Sequence, residues 1–288
     1  MMNSFTSGVN VGDITTNTPP ADDISSIQFH PVSDILAVAA WDQSVSIYEV
    51  SAQQIIPRHQ IKLSSVPLDI EWVQDKLIAC ACADGTIQLY DINSNAAITI
   101  GKHEAGARGV NLAKDNVIVT GGWDKYLRYW SVNEKITMGQ VLLSERVYCM
   151  DAYNEVIVAA TADKNIHILH CSNPMQIMKT MVSPLKMQPR CIAIYRPSPN
   201  GFAIGSIEGR CGLEYFEEKD QSAKFSFKCH REESKNIYSV NSIRFHPIQG
   251  TFVTSGSDGC FHFWDKDSKQ RLKANTAKGL PITCNFDN

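Results

Sequence analysis

The hydrophobic and polar positions of this chain form a pattern that repeats along its length. Each copy has an apolar run that ends in small residues, then an acidic residue at a turn, then a stretch that alternates between apolar and polar residues, as at 86–90. A repeat period near 40 residues is typical of architectures in which each copy forms one structural unit. Successive acids lie 42, 40, 39, 45 and 50 residues apart, at Asp42, Asp84, Asp124, Asp163, Glu208 and Asp258.

Each copy predicts β-strands joined by tight turns. Small residues followed by an acid and a glycine, as at Asp84 and Gly85, suit a hairpin. The alternating stretches suit strands with one buried face, and the residue six positions after the acid is usually aromatic. Every stretch of 11 or more residues with a helical apolar stripe is interrupted by Gly, Pro or Asn. We therefore expect an all-β chain with six copies.

The copies resemble the WD-repeat family of β-propellers, because they are four-stranded units of about 40 to 45 residues that close on Tyr-Asp, Tyr-Glu, Trp-Ser or Trp-Asp. The resemblance covers about residues 22–286 and implies a seven-bladed plan. Residues 280–286 predict the first strand of a seventh blade, and residues 10–16 could supply its outer strand. Two middle strands are then missing, so we expect six complete blades and a truncated or incomplete seventh.

This incomplete repeat leaves two explanations open. Either the seventh blade is incomplete, or the chain is a fragment or a short gene product. For the domain organisation, we expect residues 1–21 to be a partly flexible N-terminal segment that could contain a closing strand, and residues 22–288 to be a single propeller.

Composition narrows the class of protein. Hydrophobic residues make up 43% and charged residues 20% of the chain, a balance typical of a globular protein. The formal net charge of −3 excludes a basic coat that binds nucleic acid over the whole surface. The nine cysteines are an odd number and the first 13 residues lack a signal-peptide core, so we expect reduced thiols in an intracellular protein. The apolar runs are too short for membrane insertion.

One copy carries four polar residues that could form a buried hydrogen-bond network: His103, Thr120, Asp124 and Trp130. An Asp that holds a His, which in turn bonds a hydroxyl and an indole N–H, satisfies all four groups. The alternative is a hydrolase triad of the first three residues. The spacing of the repeat and the lack of a nucleophile elbow favour the structural interpretation. No motif for a metal, a nucleotide or another cofactor is present, so we expect none of these.

Basic residues are concentrated in the last third of the chain. Residues 186–273 contain fourteen Lys or Arg and ten Asp or Glu, a local net charge of +4. A local positive surface can attract acidic segments even on an acidic protein. Arg210 follows the turn of the copy that departs most from the repeat, so we expect it to clamp a carboxylate; the alternative is a solvated surface arginine.

Other side chains are also candidates for partner binding. Phe227 and Lys228 alternate on one predicted strand, with core packing as the alternative for the phenylalanine. A basic run follows the last complete copy, and such runs are often merely solvated. Two tryptophans precede turn acids, where they could be interface anchors or packing residues between blades. Together with Arg210, the candidates are Trp41, Trp123, Phe227, Lys228, Arg231, Trp264, Lys266, Lys269 and Arg271.

Several longer stretches are more specific than the repeat itself. In order and separation they resemble the nuclear-pore-associated mRNA export factors of the WD-repeat family, whose close relative is the spindle-checkpoint WD-repeat adaptor. The stretches lie at 19–25, 40–42, 122–125, 144–151, 183–186 with 190–191, 205–210, 225–231 and 263–267. The resemblance implies a propeller that is not an enzyme and that binds a short acidic hairpin, called GLEBS, on one face.

The resemblance also implies partners and a location. The first hypothesis is a non-catalytic adaptor that binds the GLEBS segment of a Gly-Leu-Phe-Gly-repeat nucleoporin and acts in poly(A) mRNA export. The second is a spindle-checkpoint adaptor that binds GLEBS segments of checkpoint kinases. A third is direct contact with RNA or mRNP through the basic run. We expect the nucleus, the nuclear pore and envelope, and a cytoplasmic pool; nothing in the sequence indicates whether ubiquitin- or tubulin-type partners bind.

Overall fold

The computed structural model describes residues 14–232 and 236–276, and these residues form six antiparallel four-stranded sheets, here called blades 1 to 6. Within each blade the strands follow chain order from the innermost to the outermost. Blade 1 contains β1 (Ile24–Phe29), β2 (Ile35–Ala40), β3 (Ser44–Val50) and β4 (Ile55–Lys62). Blade 2 contains β5 (Pro67–Gln74), β6 (Leu77–Cys82), β7 (Thr86–Asp91) and β8 (Ala96–Lys102). Blade 3 contains β9 (Ala107–Lys114), β10 (Val117–Gly122), β11 (Tyr126–Ser131) and β12 (Ile136–Leu142).

The second half of the chain repeats this order. Blade 4 contains β13 (Val147–Tyr153), β14 (Val156–Thr161), β15 (Asn165–His170) and β16 (Ile177–Val182). Blade 5 contains β17 (Pro189–Ile194), β18 (Gly201–Ser206), β19 (Arg210–Tyr215) and β20 (Phe225–Lys228), and a 3-10 helix (Glu218–Ala223) precedes β20. A short hairpin follows, made of β21 (Arg231–Glu232) and β22 (Asn236–Ile237). Blade 6 contains β23 (Val240–Phe245), β24 (Thr251–Gly256), β25 (Cys260–Asp265) and β26 (Gln270–Thr276).

Burial explains why the repeat ends its apolar runs in small residues. The second strand of a blade is covered on both sides, and in β14 Ala159 and Ala160 are fully buried. Outermost strands are far more exposed, so β26 carries mostly polar side chains. The apolar core is divided into clusters, each of which lies between two successive blades. Because the sheets are hydrophobic on both faces, each blade is stabilised by its neighbours.

The innermost strands face a narrow channel of about 80 Å³, which residues from β1, β5, β9, β13, β17 and β23 line together. This arrangement is a ring of six blades and confirms the predicted all-β propeller. The expected first strand of the seventh blade, residues 280–286, lies outside the described residues, as do residues 10–13 of its expected outer strand. Residues 14–16 are described and are not in a strand. Farther along this N-terminal segment, the Thr18 carbonyl accepts the Tyr48 hydroxyl at 2.7 Å.

Candidate functional site

The ring has two faces, defined by its turns. The upper face, as defined here, is the one that carries the turns between the second and third strands of each blade, where the six repeat acids lie. The lower face is the one that carries the turns between the third and fourth strands. Arg210 begins β19 opposite Lys228 at the end of β20, so both lie at the upper face. Asp265 ends β25 opposite Gln270 at the start of β26, so this turn lies at the lower face.

The predicted network of blade 3 consists of three short hydrogen bonds. The Asp124 carboxylate can only accept, so His103 donates to it from Nδ1 at 2.8 Å. The Thr120 hydroxyl then donates to Nε2 of His103 at 2.8 Å and accepts the indole N–H of Trp130 at 2.8 Å. His103 and Thr120 are fully buried. Burial lowers the pKa of His103 below its ordinary value, although the Asp124 carboxylate opposes this shift.

Blade 6 contains a second copy of this network. His230 donates from Nδ1 to Asp258 at 2.9 Å, Thr254 bonds to its Nε2 at 3.1 Å, and Trp264 donates to Thr254 at 3.0 Å. Trp264 is only 8% exposed. This burial corrects the expectation that Trp264 offers its ring to a partner, because the ring packs within the blade. The sequence carried the signal, since Thr254, Asp258 and Trp264 repeat the spacing of the blade 3 residues.

A third imidazole lies beside the blade 6 network. Donor atoms of His230, Asp258 and His262 all lie within 4.8 Å of one another, a spacing that a metal ion could bridge. Both ring nitrogens of His230 are already hydrogen-bonded, however, and its ring stacks on His262 with centroids 4.9 Å apart. Lone pairs in stacked rings run side by side and do not converge on one ion. We therefore interpret the group as a packed histidine pair.

The upper edge of blade 5 holds a compact group of charges. Arg231 donates from Nε to the backbone carbonyl of Glu208 at 2.8 Å, and its terminal nitrogen reaches Oε2 of that residue at 3.2 Å. Nε of Arg210 lies 3.9 Å from the same oxygen. Lys228 is exposed beside Arg210. The structure thus brings together three of the predicted binding residues at one corner of the upper face.

Phe227 lies in a different environment from its charged neighbours. Its ring is half-buried, with its centroid 4.4 Å from that of Trp264 and 5.4 Å from that of Phe225. Phe227 and Phe225 share one side of β20, and Lys228 points to the other, as the alternation predicts. The contact with Trp264 places Phe227 between blades 5 and 6, where packing accounts for its burial.

The basic run of blade 6 lies at the lower face, away from Arg210. The Lys266 ammonium lies 2.6 Å from Asp267 and 5.6 Å from the ring centroid of Tyr195. The Lys269 ammonium lies 5.6 Å from the ring centroid of Phe225. Arg271 is exposed on β26. The predicted binding residues therefore divide between two faces, because the turn after Trp264 lies at the opposite end of the strands from the turn before Arg210.

Trp41 and Trp123 are both exposed at turns of the upper face, to 53% and 42%. The backbone N–H of Trp41 donates to Asp23, and that of Trp123 donates to Gly106, both at 2.8 Å. These bonds fix the backbone of each turn. Large aromatic side chains that are held rigidly at a surface are typical anchors of protein interfaces.

The sequence did not predict a pocket on the upper face beside Trp123. This cavity of about 260 Å³ is here called the arginine pocket. It is lined by Arg108, Trp123, Arg146, Tyr148, Gln188, Pro189 and Arg190.

Three arginines and two aromatic residues line the arginine pocket. A signal for it exists in the repeat, because Arg108, Tyr148 and Arg190 are each the second residue of the innermost strand in blades 3, 4 and 5. Arg190 is oriented by Asn241, whose side-chain oxygen accepts its Nε–H at 2.9 Å. Guanidinium groups bind carboxylates in a planar, bidentate geometry, and aromatic rings bind apolar groups. The pocket therefore suits an acidic segment with apolar side chains.

Comparison with known proteins agrees with the repeat architecture. A family model described as the anaphase-promoting complex subunit 4 WD40 domain matches residues 27–151. A model described as the WD domain, G-beta repeat, matches residues 222–265.

The chain is also similar over most of its length to several known proteins. It is 40% identical to the poly(A)+ RNA export protein of Schizosaccharomyces pombe, with 96% of this chain and 81% of the relative covered. It is 41% identical to the mRNA export factor GLE2 of Chaetomium thermophilum, with 94% and 79% covered. It is 37% identical to the mRNA export factor of Danio rerio, with 96% and 80% covered. Within residues 14–232 and 236–276, no helix is long and apolar enough to cross a membrane.

Proposed function

The chain belongs to the WD-repeat family of mRNA export factors, and on that premise we propose that it is a non-catalytic adaptor which docks on an acidic GLEBS-type segment of a nucleoporin. Relatives that are named for poly(A)+ RNA and mRNA export support a role in the export of poly(A) mRNA. Docking on a nucleoporin would hold the protein at the nuclear pore, with a nuclear and a cytoplasmic pool.

The arginine pocket carries the proposal. Arg108, Arg146 and Arg190 line one cavity together with Trp123 and Tyr148. Clustered guanidinium groups raise the local positive potential on a chain whose net charge is −3, so they favour acidic ligands selectively. The two rings give the same ligand an apolar anchor, which a purely electrostatic surface lacks.

The group of basic residues at the upper edge of blade 5 extends this surface. Arg210 and Lys228 lie on blade 5 and Arg231 begins the hairpin that follows it, and blade 5 also supplies Arg190 to the pocket. A segment that runs across the upper face from blade 3 toward blade 6 would therefore meet cationic groups on consecutive blades. An extended acidic arm matches this arrangement better than a compact ligand.

A non-catalytic role agrees with the location of the His-Thr-Asp group of blade 3, whose residue types resemble a triad. His103 and Thr120 are fully buried within blade 3, and all of their polar atoms take part in the network with Asp124 and Trp130. A substrate cannot reach them without unfolding of the blade. The surface chemistry of the upper face is instead that of a binding site.

The experiment is a binding measurement with two acidic hairpins, one from a Gly-Leu-Phe-Gly-repeat nucleoporin and one from a checkpoint kinase. We expect the parent protein to bind the nucleoporin hairpin more tightly, and the double variant Arg146→Glu, Arg190→Glu to lose this binding. Lys269→Glu on the lower face is the control and should bind like the parent. Tighter binding of the kinase hairpin would favour the checkpoint role, and equal binding by the double variant would reject the pocket.

RNA contact is tested in the same set of variants. Binding of a poly(A) oligonucleotide that falls steeply with salt, and that is lost in Lys269→Glu but kept in the double variant, would show direct contact through the lower face. A protein that acts only as an adaptor should bind the oligonucleotide weakly, with no difference between the variants.

A further inference from the structure

We propose that Glu208 is an internal counter-ion that occupies the Arg210 and Arg231 pair in the free protein and competes with the carboxylates of an acidic partner. The inference deepens the proposed function and rests on it. It assigns to Glu208 the role of a residue that sets affinity and selectivity, and it follows from how this acid differs from the corresponding acids of the other five blades.

In five blades the turn acid is an aspartate that binds its own turn. Each of these aspartates accepts the backbone N–H of the residue two positions later, at 2.9 to 3.3 Å. The pairs are Asp42 with Ser44, Asp84 with Thr86, Asp124 with Tyr126, Asp163 with Asn165, and Asp258 with Cys260. Each of these carboxylates therefore stabilises its own turn, even where, as in Asp42 and Asp124, it also pairs with a nearby cation, Lys62 or Arg128.

Blade 5 departs from this rule. Its acid is a glutamate, one methylene longer, and its carboxylate reaches past the turn to Arg231 at 3.2 Å and Arg210 at 3.9 Å. The turn itself is made by Gly209 with φ of +66°, where a Cβ atom would lie 2.3 Å from the carbonyl oxygen of His230. A residue with positive φ makes this turn in the other five blades as well, so what distinguishes blade 5 is the acid, whose carboxylate pairs with the arginines.

The pairing is incomplete, which is what makes displacement feasible. Oε2 of Glu208 contacts both arginines, whereas Oε1 is buried and has no hydrogen-bond partner among the described residues. A buried carboxylate oxygen without a donor is unfavourable, because it has lost its hydration and no hydrogen bond replaces it. A partner carboxylate that bound the guanidinium groups with both oxygens would allow Glu208 to turn toward water.

Displacement would leave Arg231 in place. Nε of Arg231 is held by the backbone carbonyl of Glu208 at 2.8 Å, and this bond does not depend on the side chain. Arg231 therefore keeps its position when the carboxylate leaves. What changes is the charge that a ligand meets, because Arg210, Lys228 and Arg231 are then no longer offset by an internal acid.

This arrangement discriminates between ligands. A weakly acidic segment gains little by replacing a carboxylate that is already present, whereas a segment with several carboxylates still finds net positive charge at the corner. Glu208 would thus lower the affinity of the upper face for all acidic segments while it raises the difference between strongly and weakly acidic ones.

The experiment measures peptide affinity by fluorescence anisotropy for the parent, Glu208→Gln and Glu208→Asp. The probes are the nucleoporin hairpin and a poly-glutamate peptide. We expect Glu208→Gln to bind both probes about threefold or more tightly at low salt, with a smaller gain at high salt. Glu208→Asp keeps the charge, and we expect it to move in the same direction because the shorter acid can bind its turn as the five aspartates do.

Glu155→Gln is the matched control, since it removes the same charge from an ion pair with Lys114 at the opposite face. Its affinity should equal that of the parent. Weaker or unchanged binding of poly-glutamate by Glu208→Gln would overturn the inference, because the carboxylate would then position the arginines or contact the ligand. The two proposals can fail separately: poly-glutamate tests Glu208 even if the parent does not bind the nucleoporin hairpin.

Discussion

The indole ring of Trp123 lies against Gly106, where a Cβ atom would stand only 2.6 Å from Cε3 of the ring. The backbone carbonyl of Gly106 also accepts the N–H of Trp123 at 2.8 Å. One small residue therefore fixes both the ring and its turn. Because the tryptophan is nevertheless 42% exposed, it gives the arginine pocket a rigid aromatic wall.

Gly106→Ala should weaken binding of the acidic hairpin by about three- to tenfold, because the added methyl group displaces the ring from its place beside the arginines. Gly139→Ala is a matched control. Its Cβ would also meet a side chain, the flexible end of Met175, but on an outer strand far from the pocket. Isothermal titration of both variants checks the prediction, and equal affinities would show that the position of Trp123 does not matter for binding.

The two tryptophans that close the buried networks should be needed for stability. Trp130→Phe and Trp264→Phe each keep a ring but remove the N–H that Thr120 or Thr254 accepts. Each change should lower the free energy of unfolding by about 1 to 3 kcal/mol, because a buried hydroxyl loses its donor.

Urea denaturation of the two variants provides the measurement for this prediction. Trp41→Phe is the control, since its ring is exposed and a surface change of this kind should alter stability by less than about 0.5 kcal/mol. If Trp264→Phe were as stable as the parent while Trp130→Phe was not, the second network would contribute nothing measurable.

The periodicity of the sequence predicted most of the fold. The six turn acids mark the six blades, because each acid must lie at a tight turn between two buried strands. The network around His103 was predictable for the same reason, since buried polar groups must be paired and the spacing offers one solution. The residues of the expected seventh blade could not be compared, apart from 14–16, because they lie outside the described residues.

The candidate site was harder to predict, because it depends on which end of a strand a residue occupies. Arg210 follows a turn of blade 5 and Lys269 lies in a turn of blade 6, yet the two residues lie at opposite faces. The arginine pocket was missed for a different reason. Its members come from separate repeats, so Arg108 and Arg190 become neighbours only when the inner strands close around the channel.

The division between the faces leads to a direct prediction. Arg210→Glu should weaken binding of the acidic hairpin about tenfold or more, since it replaces attraction by repulsion at the upper face. Lys266→Glu reverses a charge at the lower face and should leave this affinity within twofold of the parent. Surface plasmon resonance on the three proteins checks the prediction. A similar loss for both variants would mean that the partner wraps around the rim of blades 5 and 6.

The stacked histidine pair of blade 6 predicts how stability depends on pH. Burial, together with the neighbouring His230, lowers the pKa of His262 from 6.5 to about 4. The unfolded chain therefore binds a proton at this residue at a higher pH than the folded chain does. The free energy of unfolding should fall as the pH drops from about 6.5 to about 4, by up to about 3 kcal/mol from this residue.

His262→Gln should remove that part of the pH dependence, because glutamine does not titrate. Urea denaturation at half-unit steps between pH 4 and pH 8 gives the two stability profiles. The expected result is a shallower slope for the variant below pH 6.5 and parallel profiles above it, where His262 is neutral in both states of the parent. Burial also lowers the pKa values of His103 and His230, against the opposing effect of their aspartates, so some slope should remain in the variant. Identical slopes below pH 6.5 would show that His262 is protonated equally in the folded and unfolded chains, and that its stacking on His230 costs the charged form nothing.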